Sequence, residues 1–551
     1  MPTLTHGPLV GAITDTGVNI WLRAGGSGEA QIRVATSVDP SSDRYAVTAK
    51  AVLKKEQDFT AVLSFNNLKP DTTYHYTVLL DDKPALDSKI GGKTSFRTFP
   101  KAGEAAASFS FAFGSCFIPK AHKTAIFNNL TREGSQHDPR FFLMIGDNVY
   151  VDEHVKLRNR EGWPAAESLL ELYREAYRES WENPPFRRAL MQTPTFMIFD
   201  DHEFWDNWNN SAEHQHDREG FLAAKQAYWD YQDCHNPCAI ERHERSDPVY
   251  HYAFSYGKDI GFFVLDCRVQ RNPNAVPYPT ILGDEQRQAL YKWLRDNKSV
   301  YRVKFVISSV PISFIALPHT IVKLFHSKLG DQWLGYPEER LELFKFIQQE
   351  KIEGVHFLSG DIHLGQGLVI MPEKEERAPT VYSYTSSPLA NAFHLLPEEV
   401  PGWFSTLAWL LTGLIIGGLT AHFIPNVSYL RGLVVGILGG AVAAWLLRKL
   451  KKRRGPKVKI KPGKFEKLLY MMLRVLAHWG YLRQNMGVAS DTIKGGNVHY
   501  VPNNLFTAVH HYNMGIVTVN RGQADDSIKV QFNLVNADGD SLGCEKDPHT
   551  V

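Results

Sequence analysis

Two textures of hydrophobic and polar residues divide the chain. Up to about residue 99, short runs such as GVNIWLRA (17–24), AQIRVATS (30–37) and TTYHYTVLL (72–80) alternate apolar with polar positions. They are rich in β-branched and aromatic residues and are separated by Gly, Ser, Asp and Pro, which predicts an all-β domain over 1–100. FPKAGEAAAS (99–108) reads as a linker. From about 108 the apolar runs become nearly continuous: FSFAFGSC (109–116), RFFLMIG (140–146), TFMIFDDHE (195–203), GFFVLDCR (261–268), VKFVISSVP (303–311) and GVHFLSGDIH (354–363). Such strands suit a sheet buried on both faces, and helices are expected between them. In ERLELFKFIQQEKI (339–352), Leu341 and Phe344, and Leu343 and Ile347, recur at helical spacing; ESLLELYREAYRESW (167–181) reads the same way. The fold class expected is α/β with a smaller all-β domain in front.

The pattern is interrupted once. Between Glu399 and Arg431 there is no Asp, Glu, Lys or Arg. Residues 403–424 are long enough to cross a hydrocarbon core of about 30 Å, and 432–447 nearly so if Arg431 and Arg448 snorkel. These two stretches predict an inserted transmembrane helical hairpin within 393–486; a buried helical hairpin is the bland alternative. The acid-free segment RKLKKRRGPKVKIKPGK (448–464) fits a cytoplasmic flank, and 464–486 looks amphipathic. A lipid bilayer contacted through 403–447, with anionic lipid at the basic flank, is the expected partner. Two passes return the chain to one side, so the second half of the catalytic domain, 487–551, can rejoin 108–392. The expectation is a membrane protein with a cytoplasmic catalytic domain and no signal peptide.

Composition adds little. A chain of 551 residues suggests two or three domains, and a net charge of +2 gives no case for a nucleic-acid partner. Five cysteines, sparse and odd in number, argue for a reducing setting rather than a disulfide framework. Cys234, His235 and Cys238 lack an evident fourth ligand nearby and are expected to pack.

Four strand ends carry the chemistry. FGSC ends in Cys116, IGDNVY in Asp147 and Tyr150, FDDHE in Asp200, Asp201, His202 and Glu203, and SGDIH in Asp361 and His363. Each has an ordinary reading: a strand-end Cys packs as a small apolar group, Gly-Asp forms a turn, and DDHE starts a helix with Asp201 as its cap. Their conjunction does not. Loops at the carboxyl ends of strands converge on one crevice, and so many buried charges need multivalent cations to neutralise them.

These motifs identify a resemblance. FGSC, GDNVYVDE, DDHEFWDNW, VLDCRVQR, WLGYPEERLELFKFI and LSGDIHLG together resemble the PhoD-like branch of the calcineurin-like metallophosphoesterases, over roughly 1–392 and 495–535. The resemblance implies a four-layer α+β metallophosphoesterase sandwich behind a fibronectin-III-like β-sandwich. It implies one metal held by Cys116, Asp147, Tyr150 and His363, and a second held by the bridging Asp147 with Asp201 and Asp361. A ferric ion would keep phenolate and thiolate deprotonated, and the oxygen-only set suits a hard divalent ion. Fe3+ with Ca2+ is what the resemblance favours; Mg2+, Mn2+ or Zn2+ also fit the donor types.

The implied function is metal-dependent hydrolysis of a phosphate ester, mono- or di-, by a metal-bound hydroxide at a dinuclear site. Asp147, His202 and Arg268 are its implied catalytic groups, and His202 would bind phosphate or protonate the leaving alkoxide. Arg268 and Arg271, in the Asp-x-Arg-x-x-Arg pattern, would clamp phosphate or form structural ion pairs, and Asn207 would sit at the rim. Asp152 and Glu153 receive no role. Alternatives are a catalytically weak membrane-anchored scaffold that binds metal or phosphate, and a hydrolase of a lipid-linked phosphate ester.

Overall fold

The computed structural model describes residues 2–41, 43, 46–86, 93–119, 124–131, 137–154, 157, 166–210, 218–245, 249–313, 331–372, 378–391, 493–495, 498–509, 512–523, 526–544 and 549–550. The expected hairpin at 403–447, the basic segment and the amphipathic stretch lie outside these residues.

The N-terminal region forms two antiparallel sheets. One orders Leu4–Ile13, Val18–Ala24 and Thr60–Phe65; the other orders Val47–Leu53, Gly28–Ala35, Thr73–Leu80 and Lys83–Pro84, with Ser95–Arg97 also paired to Thr73–Leu80. In Thr73–Leu80, Tyr74, Tyr76, Val78 and Leu80 are buried while the residues between them are less so, as a strand with one covered face requires. Hydrogen bonds and an ion pair join this region tightly to the helices and loops between 178 and 230. Trp21 Nε1 donates to the Asp230 carbonyl at 2.8 Å, Tyr76 Oη to the Met191 carbonyl at 2.6 Å, and Arg178 pairs with Asp58 at 2.7 Å.

The remainder is built on two large sheets. The first orders Thr195–Ile198, Phe142–Ile145, Phe109–Gly114, Met514–Arg521, Ile528–Val535 and Ser541–Cys544, with His549–Thr550 paired to Ile528–Val535. The second orders Tyr252–Tyr256, Ile260–Val264, Val303–Ile307, Val355–Ser359, Val381–Thr385, Gly365–Pro372, Val498–Val509 and Ile493–Gly495. Each has a parallel centre: 109–114, 142–145 and 195–198 in the first, and 260–264, 303–307, 355–359 and 381–385 in the second. Strands after 493 extend both sheets, so this last part of the chain belongs to the same fold.

The period of two along a strand sorts residues between layers. Phe262 and Phe305 point towards the first sheet, meeting Phe111 at ring-centroid distances of 5.4 and 5.1 Å. Their neighbours Phe263 and Val306 point the other way, into a core with Leu290 and Leu294 of helix Gly283–Asp296 and Leu343, Phe344 and Ile347 of helix Pro337–Gln349. Tyr384 stacks on Phe532 at 4.7 Å across the sheets. The near-continuous apolar runs are therefore strands covered by a sheet on one face and by helices on the other.

Among the described residues no helix is long and apolar enough to cross a membrane. The longest, Ala166–Trp181, has 16 residues and bears Glu171, Arg174, Glu175, Arg178 and Glu179 along its length. A span needs about 20 apolar residues. This corrects the expected membrane location: no described helix supplies the transmembrane element or the bilayer contact it required.

Candidate functional site

Parallel strands bring their carboxyl ends to one edge, and the residues just past those ends form the site. The turns are tight. Cys116, Asp147, Asp361 and His363 all have positive φ, between 51° and 62°, a conformation that side-chain-bearing residues adopt at a cost of about 1–3 kcal/mol. Gly146, at φ +105°, is required for a second reason. A Cβ there would lie 2.6 Å from Asp200 Cβ, so only glycine lets the 146–148 and 199–203 turns touch.

Glu203 ties these turns together. Its carboxylate is buried and accepts the backbone N–H groups of Asp147 (3.1 Å), Asn148 (2.7 Å) and Asp200 (2.8 Å), and Gln232 Nε2 at 3.2 Å. Burial pushes its pKa up to about 7, against these donors, which pull it down.

The two oxygens of Asp147 face different surroundings. Oδ2 lies 3.3 Å from Cys116 Sγ and 3.1 Å from Tyr150 Oη, and that hydroxyl is 3.3 Å from His363 Nε2. Oδ1 accepts the His202 N–H at 3.4 Å. Asp147, Asp200, Asp201 and Asp361 each offer an oxygen within 4.8 Å of the others, and Asp147, Asp201 and His202 form a second such group. Asp201 Oδ1 is buried and accepts no hydrogen bond among the described residues, with Arg268 Nη2 3.3 Å away. Asp361 Oδ2 accepts Gln332 Nε2 at 2.7 Å.

The charge balance is unfavourable for the chain alone. Burial, with the neighbouring carboxylates, drives the Asp361 pKa well above the usual carboxylate range. Asp147 moves the same way through burial, although His202 opposes it. Burial raises the Cys116 thiol and Tyr150 phenol, and Asp147 adds to both. Asp201 stands apart: burial would raise it, but Arg268 and His202 hold it down at about 2. Protonated side chains are what such a cluster adopts without cations, and cations would displace those protons. The donors fit them: sulfur, phenol, imidazole and carboxylate on one side of Asp147, carboxylates on the other.

His202 adjoins this cluster. Its Nδ1 lies 2.9 and 2.8 Å from the two oxygens of Asp152, and its ring lies 4.0 Å from that of Tyr150. Burial would lower its pKa, but Asp152, Asp201 and Asp147 together raise it well above the ordinary value. The turn Val151–Glu153 carries Asp152 back under the ring.

Arg268 and Arg271, read from the sequence as a phosphate clamp or as structural ion pairs, both pair with Asp331. Arg268 is fully buried and spans Asp200 and Asp331. Nη2 donates to Asp200 Oδ2 at 2.9 Å, Nη1 and Nη2 reach the Asp331 carboxylate at 2.7 and 2.8 Å, and Nε engages Asp200 Oδ1. Arg271 donates from Nη1 to the Asp331 carbonyl at 2.7 Å and from Nε to the Cys267 carbonyl at 2.8 Å. Both guanidinium groups are buried in the fold; every nitrogen of Arg268 is bonded, whereas Arg271 Nη2 has no partner among the described residues. Asn207 is exposed at the rim, and its backbone N–H donates to Asp201 Oδ2 at 2.5 Å.

A family model described as PhoD-like phosphatase matches residues 111–386, half of the chain. The chain belongs to the PhoD-like phosphatase family. Every strand end of the site, from Cys116 to His363, lies inside that PhoD-like match. Residues 1–92 match a separate domain of unknown function (DUF7800). Alkaline phosphatase D of Bacillus subtilis (strain 168) is 26% identical over 322 residues, which cover 54% of this chain and 52% of that protein. The match thus spans about half the length of this curated relative. A solved structure of PhoD superposes with a TM-score of 0.57 at 19% identity, covering 70% of this chain and 76% of its own. That agreement concerns the fold.

Asp152, Asp331 and the anchoring role of Glu203 were not read from the sequence. Asp152 carried a local signal, since it follows Asp147 by five residues in the same motif. Asp331 carried none.

Proposed function

We propose that this protein hydrolyses phosphate esters at a dinuclear metal centre. The observation that carries the reading is the divided environment of Asp147, with Cys116 and Tyr150 beside Oδ2 and Oδ1 on the side of His202. Cys116, Asp147, Tyr150 and His363 would hold one cation, with iron favoured by a donor set that includes thiolate and phenolate. Asp147, Asp201 and Asp361 would hold the other, an oxygen-only set suited to Ca2+, Mg2+ or Mn2+. When bound, two such cations supply charge that polarises a phosphoryl group and lowers the pKa of water.

The protein's own residues do the rest. Asp152 fixes the His202 ring through Nδ1, leaving Nε2 to carry the proton that a departing alkoxide needs. Arg268 holds Asp200 and Asp331 in place, and through Asp200 the turn that presents Asp201. Glu203 locks the Asp147 and Asp200 turns into one unit, so that ligand positions are set before any cation arrives. The rim, with Asn207 exposed, is where substrate enters.

The test compares wild type with Asp147→Asn on p-nitrophenyl phosphate and bis-p-nitrophenyl phosphate, with metal content measured on the same samples. Wild type should turn over at least one ester, and the variant should lose turnover and bound metal together. A wild type that binds no metal after iron- and calcium-replete loading would overturn the proposal. The ratio of the two rates assigns the ester class.

A further inference from the structure

Away from the metal-ligand cluster, a cavity of about 260 Å3 is lined by Val249, His251, Asp266, Gln270 and the first turn of helix Gly283–Asp296, which contributes Asp284, Glu285 and Gln286. That volume is several times the roughly 30 Å3 a water occupies in the liquid, so it admits a small organic molecule.

The carboxylates around it differ in how far they are already answered. Glu285 pairs with Arg245 at 2.7 Å and Asp284 with Arg287 at 2.7 Å, both at the surface, and both acids also suit the helix N-terminus. Asp266 is different, being only 2% exposed. Its Oδ1 accepts the backbone N–H groups of Arg268 (2.8 Å) and Val269 (3.0 Å), while Oδ2 makes no hydrogen bond among the described residues. Arg271, whose charge opposes the rise in the Asp266 pKa, bonds Asp331 and the Cys267 carbonyl through Nη1 and Nε and makes no hydrogen bond to Asp266, its Nη2 being without a partner among the described residues. Gln286 is spent, bonded to the Asp266 backbone at both its N–H and its carbonyl. Burial raises the Asp266 carboxyl to about 6, as expected for a charge whose second oxygen lacks a donor.

The other walls suit the same ligand. The His251 ring stacks on Phe263 at 5.6 Å, and burial holds the imidazole neutral by lowering its pKa to about 4. A neutral ring beside Val249 offers an apolar surface without a competing positive charge.

We propose that this cavity is a binding site for a small primary alkylammonium ion, its ammonium donating to Asp266 Oδ2 and its alkyl stem lying on Val249 and His251. A bare metal ion fits less well, because no group of three His, Cys, Asp or Glu ligand atoms gathers there among the described residues. The other oxygen of Asp266 caps the turn that carries Arg268 and Arg271, so the ligand would sit one carboxylate away from the groups that hold Asp200 and Asp331.

The experiment titrates n-butylammonium chloride into the full-length protein by calorimetry, with 1-butanol as the uncharged control. Saturable binding of the amine alone is expected, weakened at least about tenfold in Asp266→Asn. That variant keeps an acceptor for the Arg268 and Val269 N–H groups while removing the charge. Val249→Trp, which fills the cavity and leaves the charges in place, should abolish binding and settles the matter should Asp266→Asn fail to fold. Equal affinity in a folded variant, or no saturable binding by wild type, overturns the proposal.

Discussion

Asp152 presents both carboxylate oxygens to Nδ1 of His202, at 2.9 and 2.8 Å, across 50 residues of chain. The contact fixes which ring nitrogen faces away from the carboxylate and adds to the charges that keep the imidazole protonated.

Asp152→Asn should therefore cost turnover more than binding. We expect kcat to fall by about 10²-fold or more, with KM and metal content little changed. The loss should be larger for an alkyl phosphate ester than for p-nitrophenyl phosphate, because p-nitrophenolate leaves without needing a proton. Steady-state kinetics on both esters checks this; an equal loss on the two would assign Asp152 a role other than orienting the proton donor.

Glu203→Gln should loosen the centre without touching a proposed ligand. One of the oxygens that accept backbone N–H groups from Asp147, Asn148 and Asp200 becomes an NH2 group facing donors. The cost expected is about 1–3 kcal/mol of stability, with weaker retention of metal. Thermal unfolding and metal content after dialysis against a chelator measure both.

Arg268→Lys distinguishes a positioning guanidinium from a phosphate clamp. Lysine cannot span Asp200 and Asp331 together, and each carboxylate left buried without its partner is costly. Stability should fall by about 3 kcal/mol or more, and metal occupancy should fall with it. A variant of unchanged stability and metal content whose KM alone rises would restore the clamp.

Acid should loosen the contact between the N-terminal sheets and the helix Ala166–Trp181. His6 Nε2 lies 3.0 Å from the Arg178 carbonyl, and burial, reinforced by Arg23, Arg187 and Arg178 charges, lowers its pKa from 6.5 to about 4. The unfolded chain therefore takes up this proton first. The stability that neutral His6 provides is complete above pH 6.5 and is lost as pH falls through 4, by on the order of 3 kcal/mol in all. The unfolding midpoint of wild type should drop more steeply between pH 6.5 and 4 than that of His6→Gln.

The cluster was legible because its residues stand where strands stop. Apolar runs ending at Cys116, Asp147, Asp201 and Asp361 mark both the strand and its carboxyl end, and parallel strands place those ends together. The arginines were not legible. Asp-x-Arg-x-x-Arg after a strand gives a guanidinium near the site, but its partners depend on Asp331, 63 residues beyond Arg268, which bonds both side chains. Residues 403–447, free of charge but for Arg431, have a composition suited to a span and lie outside the described residues, among which no helix carries that character.

The strands, the layer each side chain enters and the kinds of donor at each strand end were all readable along the chain, because the period of two and the end of an apolar run are local properties. Tertiary structure alone decided the pairings. Asp152 with His202, Glu203 with the Asp147 and Asn148 N–H groups, and Arg268 with Asp200 and Asp331 join segments far apart along the chain. Burial chooses among them: a charge enclosed in the fold must be met by whichever opposite group the packing brings within reach.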